Sequence, residues 1–294
     1  MTSHIPTSAC LDAPLIRRFL ADRSPAPGIY VETGEAQPTL EALRWAAEIT
    51  SMLGDPIDEE MLVFITACCR SEAFAMRVEQ FEPDLGATYY ATRVLALAQH
   101  RSLLPGHFVS VIAQRLFAAN GAIAVDVDGL FYGIRALEEA ALRLPRRQAE
   151  QASAFICACA APEGGYAVRP GAVADIERTY CCLQMQRILN HGGIPRWRED
   201  KMRAIRDAGW VDSCMREKAV YLTPQSEMTS LAATYWGTHA ARLCGLPFPE
   251  AQVNDAVEAA WRSDGGFGNG DRATLWDTYC ALRLLSFGQA WTSS

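Results

Sequence analysis

One stretch of this 294-residue sequence returns, and that return limits the fold more than any single motif. Cys157–Leu183 holds the end of a helix-like segment, a turn with paired glycines and an aromatic (Gly164-Gly165-Tyr166), and then Asp175, which opens an apolar helix beginning Ile-Glu-Arg-Thr-Tyr. Trp261–Leu285 runs in the same order, with Gly265-Gly266-Phe267 at the turn and Thr274 ahead of Leu-Trp-Asp-Thr-Tyr. Self-similarity at such a period marks an architecture of stacked copies.

Anchoring on the helix start gives six copies, opening at Thr39, Asp84, Asp126, Asp175, Ser230 and Thr274, with spacings of 45, 42, 49, 55 and 44 residues. Every opening residue is Asp, Ser or Thr, whose side-chain oxygen can accept from the free N–H groups of a first turn. Five copies place an aromatic five residues on, at Tyr89, Phe131, Tyr180, Tyr235 and Tyr279. Apolar residues follow at helical spacing.

Between these helices lies a second series, each member led by a proline: Pro14, Pro56, Pro105, Pro145, Pro195 and Pro247. Proline suits a first helical turn, where its missing N–H is no loss. The pattern predicts twelve helices in six pairs and no convincing strand. A pair of this size cannot bury its own apolar stripe, so pairs must stack. The first series is the richer in aromatics, which suits an inner ring. The expected fold is all-α: an (α/α)6 barrel, or toroid, of six helical hairpins, forming a single domain over residues 1–294.

Composition narrows the classes of function. Half the residues are hydrophobic, and a net charge of −7 without a Lys/Arg run leaves no footprint for nucleic acid. Most of the ten cysteines fall on apolar faces and none forms a C-x-x-C pair, which suits free core thiols in a reducing cytoplasm. The first residues lack the pattern of a signal peptide. No run reaches the roughly 18–20 apolar residues of a membrane span.

The pattern P-x-G-G-Y/F followed by D/T-x-x-x-T-Y-x-x-L resembles the repeat of protein prenyltransferase β subunits and of squalene and class II terpene cyclases. The resemblance runs over nearly the whole chain, with the full turn in copies four and six. It implies a barrel of six hairpins around an apolar cavity. In the cyclases, a D-x-D-D-T-A motif at this place in the repeat supplies the acid that protonates an alkene or epoxide. Asp126-Val-Asp128-Gly129-Leu-Phe resembles it, so Asp128 would be the acid and Asp126 its carboxylate neighbour, with Gly129 and Leu130 where the family has Asp and Thr. Paired carboxylates cannot both ionise easily, so one stays protonated. The same residues also suit plainer roles, Asp126 as an N-cap and Asp128 as a first-turn acid favoured by the helix dipole.

In the prenyltransferases, Asp, Cys and His hold a catalytic zinc; the matching positions here are Glu177, Thr179 and Asp277. Without the thiolate and the imidazole, zinc is not expected, and Glu177 and Asp277 are left as substrate-facing candidates. Arg169 and Tyr180 match a diphosphate-binding pair, and a diphosphate substrate would bring Mg2+ with it. Tyr89, Phe131, Tyr132, Tyr180, Trp236 and Trp276 are expected to line the cavity, where ring faces can stabilise a carbocation. The expectation is an isoprenoid enzyme like a class II terpene cyclase, acting by proton-initiated cyclisation or rearrangement of a polyprenyl (diphosphate) substrate. Its partner would be a hydrophobic isoprenoid, with room for a homodimer or a partner subunit. The alternatives are a zinc-independent prenyltransferase and a non-catalytic barrel that binds a lipid or peptide.

Overall fold

The computed structural model describes residues 13–71, 73–191, 201–216 and 219–291. Twelve α-helices occur among them: α1 Ala13–Asp22, α2 Leu40–Met52, α3 Glu59–Ala67, α4 Leu85–Leu97, α5 Phe108–Leu116, α6 Val127–Glu139, α7 Arg146–Ala158, α8 Ile176–His191, α9 Lys201–Cys214, α10 Leu231–Cys244, α11 Glu250–Ala260 and α12 Leu275–Trp291. The even-numbered helices form the inner ring. Each packs on the next, and α12 packs back on α2, so the ring closes. The expected six-hairpin barrel is therefore the fold. Pro195 lies outside the described residues.

All six anticipated caps form. Side-chain oxygens of Thr39, Asp84, Asp126, Asp175, Ser230 and Thr274 accept from the backbone N–H groups of Ala42, Ala87, Gly129, Arg178, Ala233 and Asp277. Each cap satisfies one donor that a helix start otherwise leaves orphaned.

The repeat's threonine has an equally local purpose. Thr88 and Thr179 donate to the carbonyl of their own cap residue, at 2.6 and 2.7 Å. Their oxygens accept from the N–H of the loop aromatic, Phe74 at 3.2 Å and Tyr166 at 2.9 Å. Thr278 receives the N–H of Phe267 at 3.0 Å. A β-branched hydroxyl at this point thus hooks the long loop onto its inner helix in copies two, four and six.

A second set of bonds joins copy to copy. The first N–H of α2 donates to Met76 O, that of α6 to Val168 O and that of α8 to Leu222 O. The first N–H of α10 donates to Asn269 Oδ1. Closure uses a carboxylate: Glu32 Oε1 accepts from Leu275 N at 2.9 Å, and its Oε2 from Trp276 N at 3.3 Å. The negative charge also complements the N-terminus of α12.

The expectation of no strand needs correcting. Three two-residue antiparallel hairpins, Cys69–Arg70 with Ala73–Phe74, Tyr166–Ala167 with Ala174–Asp175, and Met215–Arg216 with Ala219–Val220, sit in the outer-to-inner loops. They are too short to show alternation in a sequence. The Gly-Gly turn lies beside one of them. Gly165 has φ +74°, and a Cβ there would stand 2.7 Å from the Trp210 ring, so only glycine fits without strain. Arg262 seals the end of α11, with its guanidinium donating to the carbonyls of Ala259, Trp261 and Gly270.

Candidate functional site

The inner ring surrounds a cavity of about 1580 Å3. That exceeds the roughly 300–1,000 Å3 of a common small-molecule pocket. Counting from each cap residue sorts its lining into layers. Two residues on come Glu41, Asp128, Glu177 and Trp276; five and six residues on come the aromatics; nine residues on come Glu48, Arg93, Arg135, Gln184, His239 and Arg283.

The aromatic layer is an unbroken belt. Trp45, Tyr90, Tyr89, Phe131, Tyr180, Tyr235 and Tyr279 follow one another around the bore, with successive ring centroids 4.8–6.3 Å apart, and Tyr279 returns to Trp45. Tyr132 stacks on Tyr89, and Trp236 on Trp276 packs above. All six aromatics expected at the cavity wall line it. Burial pushes the hydroxyls of Tyr180 and Tyr235 far up, so these rings stay neutral.

One belt position breaks the rule. Copy one has Arg44 where the other five have an aromatic. Its guanidinium is buried, 3.7 Å from the Trp45 ring centroid and 4.8 Å from that of Tyr89.

The mouth layer differs from the sequence reading. Asp126 is exposed and occupied by its cap bond to Gly129 N, and it does not line the cavity. It therefore forms no proton-sharing pair with Asp128. Residues two apart on a helix do not face each other. Asp128 lines the cavity but is gripped by Arg178, whose Nε and Nη2 donate to Oδ1 and Oδ2 at 3.1 and 2.7 Å. Arg178 also donates to Glu177 Oε2. Burial raises the Glu177 carboxyl, Arg178 opposes this, and Asp128 and Asp175 raise it further; the outcome is about 7. The acid–base group at this rim is a Glu177–Arg178–Asp128 cluster joining α6 and α8.

Other carried-over positions scatter. Arg169 is exposed in the hairpin loop and does not line the cavity, so it is not at the bore with Tyr180. Asp277 is buried and bound to Asn269 Nδ2 at 2.6 Å and Thr274 Oγ1 at 2.9 Å, holding the last turn together. Thr179 is buried in its hook. Glu177 faces the bore while Thr179 and Asp277 are held in local bonds away from it, so the three do not form the sulfur- and nitrogen-rich donor set that zinc prefers.

The layer nine residues beyond the caps was not read as a layer from the sequence. Its signal was legible as Arg93, Arg135 and Arg283 in one register of copies two, three and six. On one side it is compensated: Arg93 donates to Glu48 at 2.6 and 3.0 Å and to Glu139 at 3.0 Å, and Arg135 to Glu139 at 2.7 Å. Burial, with the cations Arg283, Arg242 and Arg135 nearby, pushes the His239 imidazole down to about 3, so it is neutral.

Known structures share this architecture. A Candida albicans protein geranylgeranyltransferase-I, complexed with GGPP, aligns with a TM-score of 0.68 at 11% identity, over 86% of this chain and 85% of that one. The type II terpene cyclase MstE from Scytonema aligns at 0.67 and 11% identity over 97% and 98%. An ent-copalyl diphosphate synthase from Streptomyces platensis aligns at 0.53 and 13% identity, over 83% of this chain and 50% of that one. No curated protein matches in sequence. The profile of the prenyltransferase alpha-alpha toroid domain matches residues 58–213 and 206–293, which is most of the chain. This chain belongs to the prenyltransferase alpha-alpha toroid domain family.

Proposed function

We propose that this chain is an isoprenoid enzyme of the class II terpene cyclase kind, holding a polyprenyl substrate across the aromatic belt and starting its cyclisation or rearrangement with a proton. The observation that carries this reading is the closed seven-ring belt around a large bore, with a protonatable carboxyl on its rim. Such a belt stabilises positive charge through the ring quadrupoles and keeps water from a cationic intermediate.

The proton donor is Glu177 rather than Asp128. A carboxyl near 7 keeps much of its proton at neutral pH. Asp128 accepts on both oxygens from Arg178 and adds to the burial that raises the Glu177 carboxyl. In the reaction, the Glu177 proton adds to an alkene carbon and leaves a tertiary cation. The next double bond attacks that cation to close a ring, and a final proton loss restores neutrality, so the product is an isomer of the substrate.

Terpene cyclases and a protein geranylgeranyltransferase share this fold alike, so the choice between them rests on the site. Arg169, the cation the sequence offered for prenyl transfer, lies away from the bore. The test is incubation with geranyl, farnesyl and geranylgeranyl diphosphates and the corresponding prenyl acids, with products read by mass spectrometry. An isomer that keeps its head group is expected. Released pyrophosphate with a transferred prenyl group would establish transfer instead, and tight binding without turnover would establish a carrier barrel.

A further inference from the structure

The lower bore is electrically lopsided. Six guanidiniums, of Arg44, Arg93, Arg135, Arg187, Arg242 and Arg283, line it with three carboxylates, of Glu48, Glu138 and Glu139. The carboxylates are engaged on the α4–α6–α8 side. Arg93 takes Glu48 and Glu139, Arg135 takes Glu138 and Glu139, and Arg187 takes Glu138 at 2.9 Å.

On the α10–α12–α2 side compensation is thinner among the described residues, and falls to Glu48 of α2. Arg44 reaches Glu48 only at 3.9 Å, and that carboxylate is already bound by Arg93. The buried Nε atoms of Arg44 and Arg283 and the buried Nε2 of His239 have no hydrogen-bond partner. Arg242 stands at the exposed edge of the same wall, 4.6 Å from the Phe287 ring centroid. Leaving charged donors buried and unpaired is costly unless a ligand completes them. Guanidiniums present planar forks of N–H groups that match oxyanions. Tyr235 packs on His239 with ring centroids 4.5 Å apart, so an anion here would be continuous with a greasy channel.

We propose that this wall, formed by Arg44, Arg283 and His239 with Arg242 at its edge, is an anion site that takes the phosphate or carboxylate head of a prenyl chain lying across the aromatic belt. The prenyl part rests on the functional reading above; the anion site itself does not depend on turnover. The orientation follows from the layers. A head held at Arg283 and His239, nine residues beyond the caps, with Arg44 reaching it from the belt, points its hydrocarbon tail past the belt toward the rim carboxyl of Glu177.

Titrating the full-length protein with farnesyl diphosphate, farnesoate and farnesol, following tryptophan fluorescence and calorimetry, tests this. The two anions are expected to bind at least about tenfold more tightly than the alcohol, the scale of a charged hydrogen bond. Arg283→Gln should weaken the anions about tenfold and leave farnesol unchanged, while Arg283→Lys should recover part of the loss. Either order among the anions supports the site and names its head group. Equal affinity for farnesol, equal weakening of all three ligands, or no binding of any of them overturns it. The wild-type comparison stands even if a variant does not fold. An inactive protein that keeps the anion preference sinks the cyclase reading alone, and an active cyclase without the preference sinks the anion site alone.

Discussion

Arg178 holds Asp128 from the neighbouring inner helix by two hydrogen bonds, 3.1 and 2.7 Å long, while also donating to Glu177 beside it. Burial chiefly, with Asp128 and Asp175 nearby, raises the Glu177 carboxyl against the pull of Arg178. Activity that needs protonated Glu177 should hold below about pH 7 and fall as pH rises through it. Glu177→Gln should remove turnover, at least about a hundredfold. Asp128→Asn frees Arg178 for Glu177 and deletes a nearby negative charge, so the pH midpoint should drop by about one unit with activity retained at lower pH. Loss of all activity in Asp128→Asn at every pH would return the acid role to Asp128.

The hook threonines make a stability prediction. Thr179→Val leaves the buried N–H of Tyr166 without its acceptor. The expected cost is about 1–3 kcal/mol, read from chemical denaturation. Thr278→Val should cost a similar amount through Phe267 N.

At Gly165 the backbone and the space both forbid a side chain. Gly165→Ala sets a methyl against the Trp210 ring at positive φ. It should destabilise by about 1–3 kcal/mol and shift tryptophan emission. An unchanged melting temperature would show that the turn can rearrange.

His239 sets an acid limit. Its folded pKa of about 3 lies below its unfolded value near 6.5, so its contribution to stability is present above pH 6.5 and lost as pH falls. Between pH 6.5 and 5 the loss is about 2 kcal/mol. Glu177 works the other way, losing stability as pH rises from about 4.5 to about 7. Unfolding free energies across this range should differ in slope between the wild type and His239→Gln, with the variant lacking the acid-side drop.

The fold was legible because it is written locally. Each inner helix announces itself with a capping side chain, and all six caps form. The aromatics five and six positions later gave the belt without any knowledge of neighbours. The rim was harder. Asp126 and Asp128 look like a pair in one dimension, yet a helix turns them apart, and the partner of Asp128 comes from a helix 50 residues away. Arg169 and Asp277 sat at matching positions in the pattern, but one falls on an exposed loop and the other is consumed by a turn. The layer nine residues past the caps went unread because its members differ in type, Glu, Arg, Gln and His, and share only a register.

Glu32 fastens the first loop to the start of the last helix, so the ring has no loose end to grow from. An open stack can gain a copy and simply become longer. Here an extra hairpin would force every seam to a new angle, so the circumference is fixed. The contents of the drum can then differ by bulk and charge at inward-facing registers, as at Arg44, where the other five copies carry an aromatic.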